Sequence, residues 1–402
     1  MVVFIHIIMF KYLPIFFILL CVSCNNTNEN SQVTYIIESP SKELVAIDSV
    51  VSNIKLTELE LTPQSLMSGI TTFSIAKERI YCFSNAGNGV VKVFNLYDGK
   101  YLFKIDHAGR ANNEWIELSS MFINEKDNLI LLTDRMTSKV LMYDLEGEFI
   151  KSITLQNKEK DKALFREVVY MDGLFFAVTT PIYTNYEIKG YSKYKINIFD
   201  KDGNFVKEEI PTKYNDSPFA LDFINQIHLT EEGHLLLAAT NDNIVYRLDE
   251  QVRPYIKFNN KGNIPFITDD IIEKKAKNRE PEYGRKYTFF SNRVLESNNI
   301  IYRRMGYYDC QDILYNKHKG KVVYTSFYSL KQVEGASLSP NIIYPAPYVC
   351  RNGRFYSVID VQLLGMPDGY IRNNLPESLK DYRSKYLKNQ LNQLIVSYEI
   401  NI

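Results

Sequence analysis

VKVFNLYDGKYLFKI, at Val91–Ile105, is an apolar strand, a polar turn ending in Asp98-Gly99, and a second apolar strand. The phrase returns as VLMYDLEGEFIKSI at Val140–Ile153 and as INIFDKDGNFVKEEI at Ile196–Ile210. Each copy has the form of a β-hairpin, two β-type segments joined by a turn built on Gly. One hairpin cannot bury its apolar surface alone, so units repeated at roughly 45 to 65 residues must stack on one another. That spacing predicts a β-propeller.

Working outward, six units can be traced. Their opening strands are Glu78–Ser84, Asp127–Asp134, Asp172–Thr180, Glu232–Asp242, Asn298–Asp309 and Asn352–Asp360. Most begin on an Asp-Asn, Asp-Gly or Asn-Gly pair, which favours a tight turn. A continuous apolar strand follows, as expected for a strand covered on both faces. Two strand-like pieces remain at opposite ends, Ile54–Leu61 and Gln393–Ile400. A ring removes its exposed edges if these two complete one blade. Leu379, Tyr382, Tyr386, Leu387 and Leu391 fall near helical spacing within Pro376–Asn392, which predicts one surface helix. A second short helix is expected at Ile271–Asn278. The expected fold is therefore all-β: a six-bladed β-propeller of four-stranded antiparallel blades, closed by amino- and carboxy-terminal strands, with a short carboxy-terminal helix. It should occupy residues 46–402 as a single domain.

The chain has 402 residues, with 47 Lys+Arg against 47 Asp+Glu, so its formal net charge is zero. A nucleic-acid partner normally requires a basic surplus, and none is expected here. Tyr (29) and Phe (23) are abundant, which suits pleated, half-buried surfaces. Residues 1–23 read as a secretory signal peptide, with Lys11, an apolar stretch over Tyr12–Val22 and the small Ser23 before Cys24. A transmembrane anchor is the competing reading, because the short apolar run could be joined by Met1–Phe10. Translation from Met1 and from Met9 both fit. Residues 24–45, beginning NNTNENSQ after Cys24, are expected to form a flexible tether.

Val22-Ser23-Cys24 resembles the lipobox of bacterial lipoproteins, with Cys21 where that pattern prefers Leu. The body of the chain is similar to the six-bladed β-propeller lipoproteins of Bacteroidetes, which have NHL-like repeats. The resemblance rests on IDHAGRANNEW at Ile105–Trp115, on VYRLDEQVRPYIKFNNKGNIP at Val245–Pro265 and on LELTPQSLMSGI at Leu59–Ile70. Ala111-Asn112-Asn113 departs from the Gly-Pro-Gly core of that family's turn, while Gly109 and Glu114-Trp115 keep its frame. The resemblance implies a propeller held to the outer membrane by lipid on Cys24, on either the periplasmic or the cell-surface side. It implies no reaction and no catalytic residue.

Chemistry is sparse. No metalloprotease, nucleophile-elbow, P-loop or dinucleotide fingerprint occurs. His107, Arg110, Asn113 and Trp115 gather in one turn as a candidate ligand patch; the plainer reading is an inter-blade loop with Trp115 packed inward. Tyr307 and Tyr308, and the Tyr-rich insertion Ile182–Tyr194, offer flat faces with hydroxyls for a glycan, peptide or protein. Asp134, Asp242, Asp309 and Asp360 end strands at similar repeat positions and could converge on Ca²⁺ at the axis. As ordinary turn-fixing carboxylates they would instead accept backbone N–H groups. Arg303-Arg304 and Lys274–Arg279 read as solvated faces, Cys82 as a buried thiol, and a Cys310–Cys350 disulfide is open. The expected protein is a non-catalytic, ligand- or protein-binding propeller, monomeric and without a cofactor; the alternative is a Ca²⁺-dependent hydrolase or lyase with its site on the axis.

Overall fold

Along Leu129–Asp134 the chain builds two cores at once. Ile130 and Leu132 point into a cluster shared with the preceding blade, and Leu129 and Leu131 into one shared with the following blade. Side chains alternate across a strand, so a strand packed on both faces must be apolar at every position. The computed structural model describes residues 33–38, 44–156, 165–179, 194–211, 226–239, 242–259, 289–306, 312–327, 344–365 and 377–402.

The chain enters through β1 (Tyr35–Glu38) and β2 (Val51–Glu58). Blade 1 follows as β3 (Thr72–Ala76), β4 (Arg79–Ser84), β5 (Val90–Asn95) and β6 (Tyr101–Ile105). Blade 2 is β7 (Leu118–Asn124), β8 (Leu129–Asp134), β9 (Lys139–Asp144) and β10 (Phe149–Thr154). Blade 3 is β11 (Phe165–Met171), β12 (Leu174–Thr179), β13 (Tyr194–Asp200) and β14 (Phe205–Pro211). Blade 4 is β15 (Ile227–Leu229), β16 (Leu235–Leu237), β17 (Ile244–Leu248) and β18 (Arg253–Asn259). Blade 5 is β19 (Phe289–Glu296), β20 (Ile300–Gly306), β21 (Asp312–Asn316) and β22 (Lys321–Thr325). Blade 6 joins β23 (Val349–Arg351), β24 (Arg354–Ile359), β25 (Leu394–Ile400) and, outermost, β2. The six antiparallel sheets form a ring, a six-bladed β-propeller, with β3, β7, β11, β15, β19 and β23 innermost.

The quoted hairpins are the outer halves of blades 1 to 3, namely β5–β6, β9–β10 and β13–β14. Their turns are held by one side chain. Asp144 Oδ1 accepts from the amides of Glu146 and Glu148, at 3.0 and 2.8 Å, while Gly147 N–H donates to the Asp144 carbonyl. Asp200 repeats this with the amides of Asp202 and Asn204, both at 2.9 Å. Such local bonds make the turn nearly independent of the rest of the fold.

The ends of the chain meet as expected. β2 pairs antiparallel with β25, from Val51 opposite Ile400 to Glu58 opposite Leu394. The turn of blade 1 then abuts this closure: Gly99 has φ +68°, and a Cβ there would fall on the Glu58 carbonyl. Asn392, nearly fully buried, adds a clamp. It donates to the carbonyls of Glu60 and Ser65, at 2.8 and 3.0 Å, and accepts from the Met67 amide.

Three findings differ from expectation. Tyr35–Glu38, within the expected tether, is a fifth strand lying parallel to β18, with Ile37 buried in the core between blades 4 and 5. A bridge from Leu44 to Tyr324 carries the same segment onto blade 5. Secondly, the helix α1 spans Glu377–Leu387 and stops short, because Asn389 takes φ +56° and ends it in a left-handed turn. Thirdly, Arg303 is fully buried instead of solvated. It donates to the carbonyls of Ala239 and Asp242, at 3.3 and 3.2 Å, over the rings of Phe258 and Phe290. Asp312, in the same blade, is also wholly buried, accepting from Tyr302 Oη at 2.7 Å and the Phe327 amide at 3.1 Å. Burial pushes its carboxyl up to about 6. The expected helix at Ile271–Asn278, the Lys274–Arg279 run and Cys310 lie outside the described residues. Cys82 is buried, and Cys350 is a free thiol.

Candidate functional site

The six innermost strands surround one axial cavity of about 460 Å³. Side chains on or beside them stitch five of the six blade junctions. Ser119 Oγ of blade 2 donates to the Arg166 carbonyl of blade 3 at 2.7 Å. Glu167 of blade 3 accepts from the Gln226 and Ile227 amides of blade 4, at 2.7 and 3.2 Å. His228 Nε2 lies 2.8 Å from the Asn292 carbonyl of blade 5. The Arg293 guanidinium stacks 3.9 Å over the Tyr348 ring of blade 6. Tyr348 in turn meets Phe73 of blade 1, ring centroids 5.9 Å apart.

One end of the cavity is laced across. Glu125, after β7, pairs with Arg351 of β23 and accepts from the Lys77 amide at 3.2 Å. Glu231, after β15, accepts from the amides of Gly353 and Asn298, at 2.6 and 3.2 Å. Both carboxylates are thus committed to the scaffold. The Cys350 thiol lies 3.5 Å from Glu231, and burial, with that carboxylate second, pushes its pKa well up. It stays protonated and is a poor nucleophile at neutral pH. Tyr348 shifts the other way: the Arg293 charge, seconded by its hydrogen bond and by Arg304, draws the phenol pKa down. The Arg293 charge is therefore felt at Tyr348, where blades 5 and 6 meet.

The singled-out residues that fall within the described structure lie elsewhere. His107 and Arg110 are exposed on the loop between blades 1 and 2, whereas Trp115 is fully buried in the core between those blades. His107 stacks on Trp115, centroids 6.2 Å apart. The loop is latched onto blade 2, where Tyr143 Oη donates to the Asn113 carbonyl at 3.0 Å and Lys139 Nζ to the Glu114 carbonyl at 2.7 Å. This is the inter-blade packing role. A second cavity of about 450 Å³ lies beside the loop, lined partly by Lys92, Lys104 and Asp106, with Lys104 and Asp106 paired at 2.8 Å.

Asp134, Asp242 and Asp360 sit on blades 2, 4 and 6, and none lines the axial cavity. The Asp134 carboxylate accepts from the amides of Ile116, Glu117 and Met136 and from Thr137 Oγ1. Asp242 pairs with Lys195 at 2.9 Å, and Asp360 accepts from the Gln362 amide at 3.0 Å. Ca²⁺ needs about six to eight oxygens around one point. These three carboxylates do not supply that set, and no cluster of three potential ligands occurs among the described residues. Asp309, Tyr307 and Tyr308, most of the Tyr-rich insertion, and Cys24 lie outside the described residues.

Arg166, His228 and Arg293 were not singled out. Each lies on the strand just before the turn pair used to mark a repeat, Asp172-Gly173, Glu232-Gly233 or Asn298-Asn299. Setting each repeat one strand earlier would have found them.

With the geometry in view, comparison places the chain in a family. Residues 30–398 match the family described as "Domain of unknown function (DUF4934)", and the chain belongs to it. No curated protein matches. The crystal structure of a Bacteroides fragilis protein, named as exported, is similar at 15% identity and TM-score 0.69, covering 91% of this chain and 100% of that one. A member of the duf4221 family from Bacteroides vulgatus is similar at 11% identity and TM-score 0.52, covering 88% and 98%. At these identities the likeness is one of fold. Among the described residues, no helix is long and apolar enough to cross a membrane.

Proposed function

We propose that the chain is a non-catalytic binding protein of the bacterial envelope, exported by its amino-terminal segment, lipid-anchored through Cys24, and built of NHL-like repeats around one small-molecule site. The observation that carries this reading is the axial cavity, onto which all six blades converge. Its volume falls in the range, about 300–1,000 Å³, of small-molecule sites. Non-catalytic action is supported by the groups in its wall: the Cys350 thiol is held protonated, and Glu167 is spent on backbone amides. Export is supported by the signal-like segment and by the exported name of the Bacteroides fragilis neighbour.

One preparation tests both parts. The Cys24→Ser variant should leave the membrane fraction for the soluble one. That soluble protein, screened by thermal shift against small metabolites, should bind at least one compound, and adding Ser74→Trp in the cavity wall should abolish the shift. Retention of Cys24→Ser in the membrane counts against the anchor. Binding untouched by Ser74→Trp counts against the axial site.

A further inference from the structure

The axial wall is divided by chemistry. Blades 1 and 2 contribute the hydroxyls of Thr71, Thr72 and Ser74 and the apolar Met121 and Phe122. Blades 3, 4 and 5, which are consecutive, contribute Arg166, His228 and Arg293. Glu167, the acid in this wall, is buried and bonded to backbone amides, so it offers the arginines no exposed counter-charge.

Arg166 is the unusual member. It is half-buried, and its guanidinium has no hydrogen-bond or ion-pair partner among the described residues. Other half-buried arginines are engaged: Arg79 with the Leu145 carbonyl and Glu146, Arg354 with Glu399 and the Ser397 carbonyl. A guanidinium partly withdrawn from water without a counter-ion is costly, and a carboxylate or phosphate would satisfy its planar fork. Arg293 is pre-organised by stacking on the Tyr348 ring at 3.9 Å, and its charge draws the phenol pKa down.

We propose that the axial cavity binds a small organic acid, its anionic group held by Arg166 and Arg293 and its less polar body against blades 1 and 2. This rests on the reading of the protein as an axial binding module and specifies its ligand class. The size of the cavity favours a monomeric acid over a polymer.

The test is titration calorimetry on the soluble Cys24→Ser protein at low salt. The probes are phenylacetate, octanoate and glucuronate, their neutral counterparts phenylacetamide, octanamide and glucose, and inorganic phosphate. At least one acid should bind, its neutral counterpart about tenfold or more weaker. Arg166→Gln and Arg293→Gln should each weaken the acid about tenfold and leave any neutral binding unchanged, with thermal stability showing that both variants fold. Equal binding of acid and neutral counterpart, or indifference to both arginine variants, overturns the proposal. Phosphate binding as tightly as the acid overturns the assignment of the ligand body to blades 1 and 2. Binding of neutral compounds alone, abolished by Ser74→Trp, sinks the acid while sparing the axial site. Binding of none of the probes overturns the proposal, and the wider metabolite screen then decides the axial site separately.

Discussion

At the scale of single residues, buried polar groups set the chemistry of the interior. Asp312 is the clearest case, because its folded carboxyl is raised to about 6 from an ordinary 3.8. A raised acid favours the protonated form in the folded state. Its stabilising contribution is therefore complete below the unfolded pKa and is lost as pH rises from about 4 through about 6. The wild type should lose up to about 3 kcal/mol from this group across that window. Asp312→Asn carries no charge and can still bond Tyr302 and the Phe327 amide by reorienting its amide. Urea titrations at pH 4 and 7.5 should show the variant gaining on the wild type as pH rises. A constant difference between the two proteins would contradict the assignment.

At the scale of elements, the amino-terminal strap and the inner strands differ in what holds them. β1 adds to the outer edge of blade 4 and depends on a few contacts. Ile37 is its buried anchor, and Tyr35 packs edge-on against Tyr255 and Tyr315. Ile→Ala in a core costs about 2–5 kcal/mol. At an edge, that loss should detach the strap and leave the ring folded. Hydrogen exchange on Ile37→Ala should therefore speed up at residues 34–38 while β8 and β12 keep their protection; uniform acceleration would argue that the strap holds the whole ring. The outer hairpins were legible in the sequence because Asp144 and Asp200 write their turns locally. The helix was legible from its spacing, though its end was set by one left-handed Asn. The inner strands were harder to see. FREVVYM and FFSNRVLE mix apolar with charged residues, and IHL and VCR are only three long. Those polar residues border the axis, so the same feature that makes them candidates for function hid the strands. Trp115 was legible as a packed residue, and Arg303 misled because its burial depends on two neighbouring blades.

At the scale of the whole molecule, stability follows from closing the ring. Blade 6 takes its outer strand from one end of the chain and its third strand from the other. Gly99 sits where blade 1 meets that seam. Gly99→Ala adds backbone strain of about 1–3 kcal/mol and a Cβ aimed at the Glu58 carbonyl. Gly173→Ala is the control: φ is +83°, and a Cβ meets nothing within 4 Å. Gly99→Ala should lower the melting temperature by clearly more than Gly173→Ala. Equal effects would mean that the seam yields freely.

The seam also bears on synthesis at the ribosome. Asn53 donates to Glu399, 346 residues later, across the pairing of β2 with β25. At about 5–20 residues per second, translation separates these partners by roughly 17 to 70 s. During that interval the nascent chain exposes β2 as an unpaired, partly apolar edge, a feature that invites aggregation. A holding chaperone acting early on this segment would give the greatest benefit to the yield of native protein.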